Sequence, residues 1–160
     1  MHGYGGVVLI VAFCGHSSYV QSIDDEKKVL ALLEDLVGDK PCELFLGEYG
    51  SFDSFAYRCA KKFKGARLDR TLVFVTPYLS EKYHKNNTEN ARDRFDQVLY
   101  PPLESVPLRY AISRRNRWIA EQADVLIAFV THAYGGAYTM YRHAKRKGCA
   151  VYNIAPQGIE

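Results

Sequence analysis

Long apolar runs are missing from this chain. No stretch approaches the roughly 18 consecutive apolar residues of a membrane-spanning helix, so the sequence predicts no membrane partner. The apolar run at residues 7–13 is short and has no basic segment before it. It reads as a core strand and not as a secretion signal. Cysteine is scarce, with four residues at positions 14, 42, 59 and 149. No two stand at the C-x-x-C spacing of zinc or thioredoxin-type sites. Cys14 closes an apolar run and Cys59 sits on an apolar helical face, which suits small buried hydrophobes. The expectation is four reduced thiols, no metal, no cofactor and a reducing, cytoplasmic setting. Charge imbalance is small as well. The 21 Lys and Arg against 18 Asp and Glu leave a net charge of +3. That is too little to imply nucleic acid, and no basic stripe is interleaved with aromatics. Low-complexity tracts and linkers are absent, so residues 1–160 read as a single domain.

What is present is ordinary globular material. Apolar residues make up 48% of the 160-residue chain and charged residues 24%, enough for one core. Residues 6–13 form a continuous Val- and Ile-rich run, the mark of a strand buried on both faces. Glu43–Leu46, Thr71–Val75, Asp124–Phe129 and Ala150–Ile154 read as further strands after the first at Val7–Phe13. Between them lie helical periods. Asp24 to Val37 places Val29, Leu32, Leu33, Leu36 and Val37 on one face, with acids in its first turn and Gly38 after it. Phe52, Phe55, Ala56, Cys59, Ala60 and Phe63 make a second stripe, with Ser51 or Asp53 as its cap. The cations that follow, Lys61, Lys62, Lys64, Arg67 and Arg70, fit a solvated face at the helix C-terminus. Ser113 caps a third helix to Gln122, with Trp118, Ile119 and Gln122 inward. A fourth runs from Thr139 to Lys147 and stops at Gly148. From Tyr78 to Val106 the pattern fades. Lys85–Asn90 is loop-like, Asp93–Leu99 reads as a short helix, and Pro101, Pro102 and Pro107 break the rest. A long irregular segment of this kind suits a lid or a disordered loop. Strands alternating with helices predict a three-layer α/β sandwich on a mostly parallel sheet of about five strands.

Three loops leave the carboxyl ends of strands, where open α/β sheets place their ligands. The first is Cys14-Gly15-His16-Ser17-Ser18, with an imidazole and two hydroxyls. It is either a ligand wall or a polar helix cap. The second, Gly47-Glu48-Tyr49-Gly50-Ser51-Phe52-Asp53, runs from a strand through two glycines into a helix. The third is Thr131-His132-Ala133-Tyr134-Gly135-Gly136-Ala137-Tyr138-Thr139. A Gly-Gly pair before a helix is a tight turn, an anion site on the helix N-terminus, or both. Arg114-Arg115-Asn116-Arg117 crowds three guanidinium groups into one turn, as a solvated face or opposite an anion.

Taken in order, Phe13-Cys14-Gly15-His16, the Gly47–Asp53 loop, Arg115-Asn116-Arg117-Trp118 with Ala123-Asp124, and Gly135-Gly136-Ala137-Tyr138-Thr139 resemble the SLOG superfamily. This is the Rossmann-like fold of DNA-processing protein A and the Lonely Guy enzymes. The small bacterial YpsA-like branch is the most similar. The resemblance implies a cleft for a nucleotide or nucleotide-derived ligand at the carboxyl edge of the sheet. Gly15, His16 and Ser17 would line one wall, and Gly47, Gly50 and Asp53 would form the second loop. Arg115 and Asn116 would reach in from a helix, while Gly135, Gly136 and Thr139 would hold a phosphate. The Lonely Guy motif carries a catalytic glutamate where this chain has Arg142. An arginine cannot supply the carboxylate of glycoside cleavage. An enzyme cleaving an N-glycosidic bond would have to use Glu48 or Asp53, and for Asp53 helix capping competes. The expected function is binding or sensing of a nucleotide-like ligand. The alternative is a phosphoribohydrolase-like reaction, and single-stranded DNA binding stands third. A homo-oligomer is compatible with the sequence.

Overall fold

Strands that are apolar on both sides need cover on both sheet faces, and the chain supplies it. The computed structural model describes residues 8–78 and 94–160. In chain order the elements are β1 (Leu9–Gly15), α1 (Ile23–Leu36), β2 (Cys42–Leu46), α2 (Ser51–Lys64), β3 (Arg70–Val75) and β4 (Gln97–Leu99). A 3-10 turn (Leu108–Tyr110) then leads to α3 (Ala111–Gln122), β5 (Val125–Phe129), α4 (Gly135–Arg146) and β6 (Ala150–Asn153). The strands form one sheet in the order β4-β3-β2-β1-β5-β6. Every neighbouring pair is parallel.

Alternation along β1 divides the core. Val11 and Phe13 pack with Val29 and Leu33 of α1 and Phe52 and Phe55 of α2. Ala12 and Cys14 pack on the other face with Ile119 and Ala120 of α3 and Met140 and Ala144 of α4. Leu44 and Leu46 against Phe45 repeat the division in β2. The architecture is therefore a three-layer α/β sandwich of the Rossmann-like kind. Phe52 and Phe55 are fully buried, and burial of each such ring stabilises by about 1.5–3 kcal/mol. Ser22 caps α1, its hydroxyl oxygen accepting the Asp25 N–H at 3.3 Å.

Several elements differ from their sequence reading. The sheet has six strands where about five are expected, because Gln97–Leu99 is a strand and not part of a short helix. Asp96 explains it. Its backbone N–H donates to the Leu72 carbonyl at 2.9 Å, and its carboxylate accepts the Leu72 N–H at 2.8 Å. This clamp delivers β4 to β3 without any apolar period. Residues 79–93, and with them the Lys85–Asn90 loop, lie outside the described residues, as does Val7. Helix α3 starts two residues early, and Ser113 does not cap it; its hydroxyl donates to the Tyr110 carbonyl at 3.1 Å. Gln122 is exposed and not inward. Helix α4 begins at Gly135, four residues before the expected Thr139. Neither Ser51 nor Asp53 caps α2. Gly50 is the cap position, the Ser51 hydroxyl donates to the Tyr19 carbonyl, and Asp53 reaches back to Tyr49. Arg70 is not solvated. It is buried over the Phe63 ring at 3.7 Å and donates to the carbonyls of Phe63 and Gly38.

The topology also sets the site. From β1 the chain winds outward through β2, β3 and β4, then returns to β5 on the other side of β1. Such a reversal leaves a crevice between the carboxyl ends of the two strands. β1 and β5 run in register to Gly15 opposite Phe129, so their following loops emerge side by side. Among the described residues, no helix is long and apolar enough to cross a membrane.

Candidate functional site

A cleft of about 370 Å³ opens at this crevice. The β1 loop contributes Gly15, His16 and Ser17, and the β2 loop contributes Gly47, Tyr49 and Asp53. Helix α3 adds Arg115 and Asn116, and the start of α4 adds Gly135 and Gly136. Nine of the sequence-derived candidates thus meet in one place. Gly50 and Thr139 do not line this cleft. Gly50 turns the chain with φ +89°, and a Cβ there would meet Ser17 at 2.7 Å. Thr139 lies on the next face of α4, where its hydroxyl donates to the Gly135 carbonyl at 2.9 Å. Glu48 points elsewhere, into an ion pair with Arg94.

The glycines serve different purposes. A Cβ at Gly15 would sit 2.2 Å from Phe52 Cγ, so that glycine admits the Phe52 ring to the core. A Cβ at Gly47 would lie 2.9 Å from Arg115 Nη1 and 3.0 Å from Asp53 Oδ2. Its absence lets the cation and the carboxylate close over the end of β2. At Gly135 and Gly136 nothing stands within 4 Å of an added Cβ. Gly135 has φ +89°, which an L side chain rarely adopts. These two residues open α4, whose first N–H groups have no carbonyl partners within the helix. Among the described glycines, the empty space and the helix N–H groups occur together only at this turn.

Asp53 and Arg115 make the floor. Arg115 is 3% exposed, donates from Nη1 to the Val75 carbonyl at 2.7 Å and lies 5.6 Å from the Tyr49 ring centroid. Asp53 Oδ2 accepts the Tyr49 N–H at 2.7 Å. Burial raises the Asp53 pKa, opposed by that N–H and by Arg115. Cys14 faces the cleft from below, its thiol donating to the Ala137 carbonyl at 3.6 Å. Burial pushes this thiol far above the ordinary cysteine range, so it is no nucleophile at neutral pH.

The rim carries residues that sequence reasoning did not select, His132 and Tyr134. His16 stacks on His132 with centroids 3.8 Å apart and planes 9° apart. His132 stacks in turn on Tyr134 at 3.9 Å. His16 Nε2 accepts the Thr131 N–H at 2.9 Å, which puts the imidazole proton on Nδ1. Burial first, then His132, hold the His16 pKa below its ordinary 6.5. Tyr134 ends the stack 69% exposed, an aromatic face beside the Gly135–Gly136 turn. The signal was present in the Thr131–Thr139 stretch; only the β1–β5 register shows that His16 joins it. Across Asn116, Gly136 and Met140, a second cavity of about 630 Å³ lies between α3 and α4. Among the described residues, no three His, Cys, Asp or Glu side chains gather as a metal site would.

No protein-family model matches the sequence, and no curated protein matches it. Solved structures do. DNA processing protein A from Helicobacter pylori, in a structure described for its unique single-stranded DNA binding mode, matches with a TM-score of 0.57 at 17% identity. The match covers 89% of this chain and 63% of that one. DNA processing protein A from Streptococcus pneumoniae matches at 0.61 and 20% identity, over 91% of this chain and 50% of that one. The Moco carrier protein of Chlamydomonas rheinhardtii matches at 0.50 and 16% identity, over 91% of this chain and 74% of that one. The chain thus spans between half and 63% of the length of the two DNA processing proteins. At these identities the likeness is one of fold, and the chain has the SLOG-type Rossmann-like fold.

Proposed function

We propose that the chain binds or senses a nucleotide or nucleotide-derived ligand in the β1–β5 cleft, as a YpsA-like member of the SLOG superfamily. One observation carries the reading: the Gly135–Gly136 turn. It joins open space to the N-terminus of α4 at the point where the strand order reverses, and there a phosphate is favoured by N–H donors and helix dipole together. The Tyr134 face beside it suits a base or another flat ring. The cleft volume falls in the range of small-ligand sites. For glycoside cleavage the cleft offers Asp53, already engaged by Tyr49, while Arg142 at the expected glutamate position is exposed and lines neither cavity. Single-stranded DNA is a second reading, favoured by the likeness to DNA processing protein A.

Gly136→Val is the decisive variant. An added Cβ there has no atom from beyond its own helix turn within 4 Å and projects into the space assigned to phosphate. Purified chain is examined by native mass spectrometry for a retained nucleotide, then titrated calorimetrically with AMP, ADP-ribose and a dT oligonucleotide. Wild type should bind a mononucleotide or nucleotide conjugate, and Gly136→Val should bind it at least about tenfold more weakly with unchanged melting temperature. Equal binding by the two proteins overturns the site. Binding of the oligonucleotide alone transfers the reading to DNA.

A further inference from the structure

The crowded Arg114–Arg117 turn does not act as one patch. Helical rotation of about 100° per residue sends Arg115 into the floor of the first cleft. Arg114 and Arg117 face the second cavity. Helix α4 faces them with Gly136, Thr139, Met140, His143 and Arg146, one continuous helical stripe, and Lys147 follows it. Among the described residues, Arg114, Arg117 and Arg146 make no ion pair. Glu121 lies 3.8 Å from Lys147 and 3.4 Å from His143 Nε2, so it offsets one end of the groove. His143 is 9% exposed, and its buried Nε2 makes no hydrogen bond. A buried imidazole nitrogen without a hydrogen bond is costly. The His143 side chain borders a groove of three guanidinium groups that make no ion pair among the described residues.

We propose that this groove between α3 and α4 is a second anion subsite, for the outer phosphates of an oligophosphate-bearing nucleotide. The inference rests on the nucleotide reading of the first cleft. The two cavities share Asn116, Gly136 and Met140, so one ligand can enter both. A phosphate at the Gly135–Gly136 turn stands at the head of the stripe. The stripe then runs roughly 10 Å along the helix from Gly136 to His143, at about 1.5 Å per residue, with arginines on both sides. Guanidinium groups recognise phosphoryl oxygens in pairs. Among the described residues no Phe, Tyr or Trp lines the groove, and the one ring there, His143, is largely buried, so it offers phosphates a charged track and bases no broad stacking platform. That distinguishes it from a single-stranded nucleic-acid channel. The ligand this arrangement selects is a nucleoside di- or triphosphate over a monophosphate.

The test uses the full chain and two separate probes. Inorganic pyrophosphate is titrated while the His143 imidazole resonance is followed by NMR. A saturable shift is expected, and Arg117→Gln or Arg146→Gln should weaken it about tenfold, as the loss of one charge-assisted contact does. Arg142→Gln is the charge-matched control on the exposed face of the same helix and should change little. No His143 shift, or equal weakening by Arg142→Gln, overturns the subsite. Calorimetry then compares AMP with ATP. Wild type should bind ATP at least about tenfold more tightly, and Arg117→Gln should erase that advantage while leaving AMP unchanged. If AMP binds and ATP gains nothing, the subsite fails and the first cleft stands. If pyrophosphate moves His143 but no nucleotide binds, the subsite stands and the nucleotide reading of the first cleft fails. An Arg117-dependent affinity for a dT oligonucleotide above that for ATP overturns the proposal in favour of nucleic acid.

Discussion

Arg115 looks at first like a phosphate ligand, but its position argues for a structural role that can be measured. It is 3% exposed, and its Nη1 donates to the Val75 carbonyl at 2.7 Å. Asp53 approaches the same point at the end of β2. Arg115→Ala deletes that hydrogen bond, and a bond from a charged group contributes about 1.5–3 kcal/mol. It also leaves the half-buried Asp53 carboxylate without its neighbouring cation, which moves the cost toward the roughly 3–5 kcal/mol of breaking a buried pair. Typical stabilities are only about 5–15 kcal/mol, so this is a large fraction. At about 2–4 °C per kcal/mol for a domain of this size, the melting temperature should fall by roughly 6–20 °C. Circular dichroism follows the melt. Urea titration should show a lower midpoint with unchanged slope, the mark of lost stability with an unaltered denatured state. Arg114→Ala, exposed at the preceding position of the helix, should stay within about 0.5 kcal/mol. A drop below about 2 °C for Arg115→Ala would show that the guanidinium holds nothing together. It would then be available to a ligand, contrary to the reasoning.

Three further outcomes follow from the site. Gly15→Ala should lose about 1–3 kcal/mol or more from overpacking, because its Cβ would stand 2.2 Å from the Phe52 ring; an unchanged urea midpoint would refute the packing role. His16 should make the protein acid-sensitive. Its folded pKa lies below the ordinary 6.5, so the unfolded chain takes up the proton first as pH falls. That stability is complete above 6.5 and is lost as pH drops through the lower folded value. Melting temperatures measured across this range should decline less in His16→Gln, and equal declines would refute the assignment. Nucleoside monophosphates should release no free base, since Arg142 is no carboxylate; turnover abolished by Asp53→Asn would overturn this.

The chain shows where a sequence is legible and where it is not. Elements carried by a full apolar period, such as α2 with Phe52, Phe55, Ala56, Cys59, Ala60 and Phe63 buried along one stripe, could be read directly, because burial alone selects them. β4 could not, since three residues held by the Asp96 clamp carry no period at all. The start of α4 was hidden for the opposite reason. Two glycines disfavour a helix by propensity, yet Gly135 adopts φ +89° as its first residue, and the sheet fixes the chain direction behind it. In the site, the motif glycines mark the loops that meet at the cleft but not their reasons. Gly15, Gly47 and Gly50 make room for Phe52, Arg115 and Ser17, all contributed by other elements, and a local reading cannot tell a glycine that admits a neighbour from one that admits a ligand. The three arginines pose the same problem with charge. Residue type leaves all of them either on a solvated face or opposite an anion, whereas helical rotation assigns Arg115 to the protein's own Val75 and leaves Arg114 and Arg117 facing an open groove. The cations still available to a ligand are therefore the ones the fold did not use.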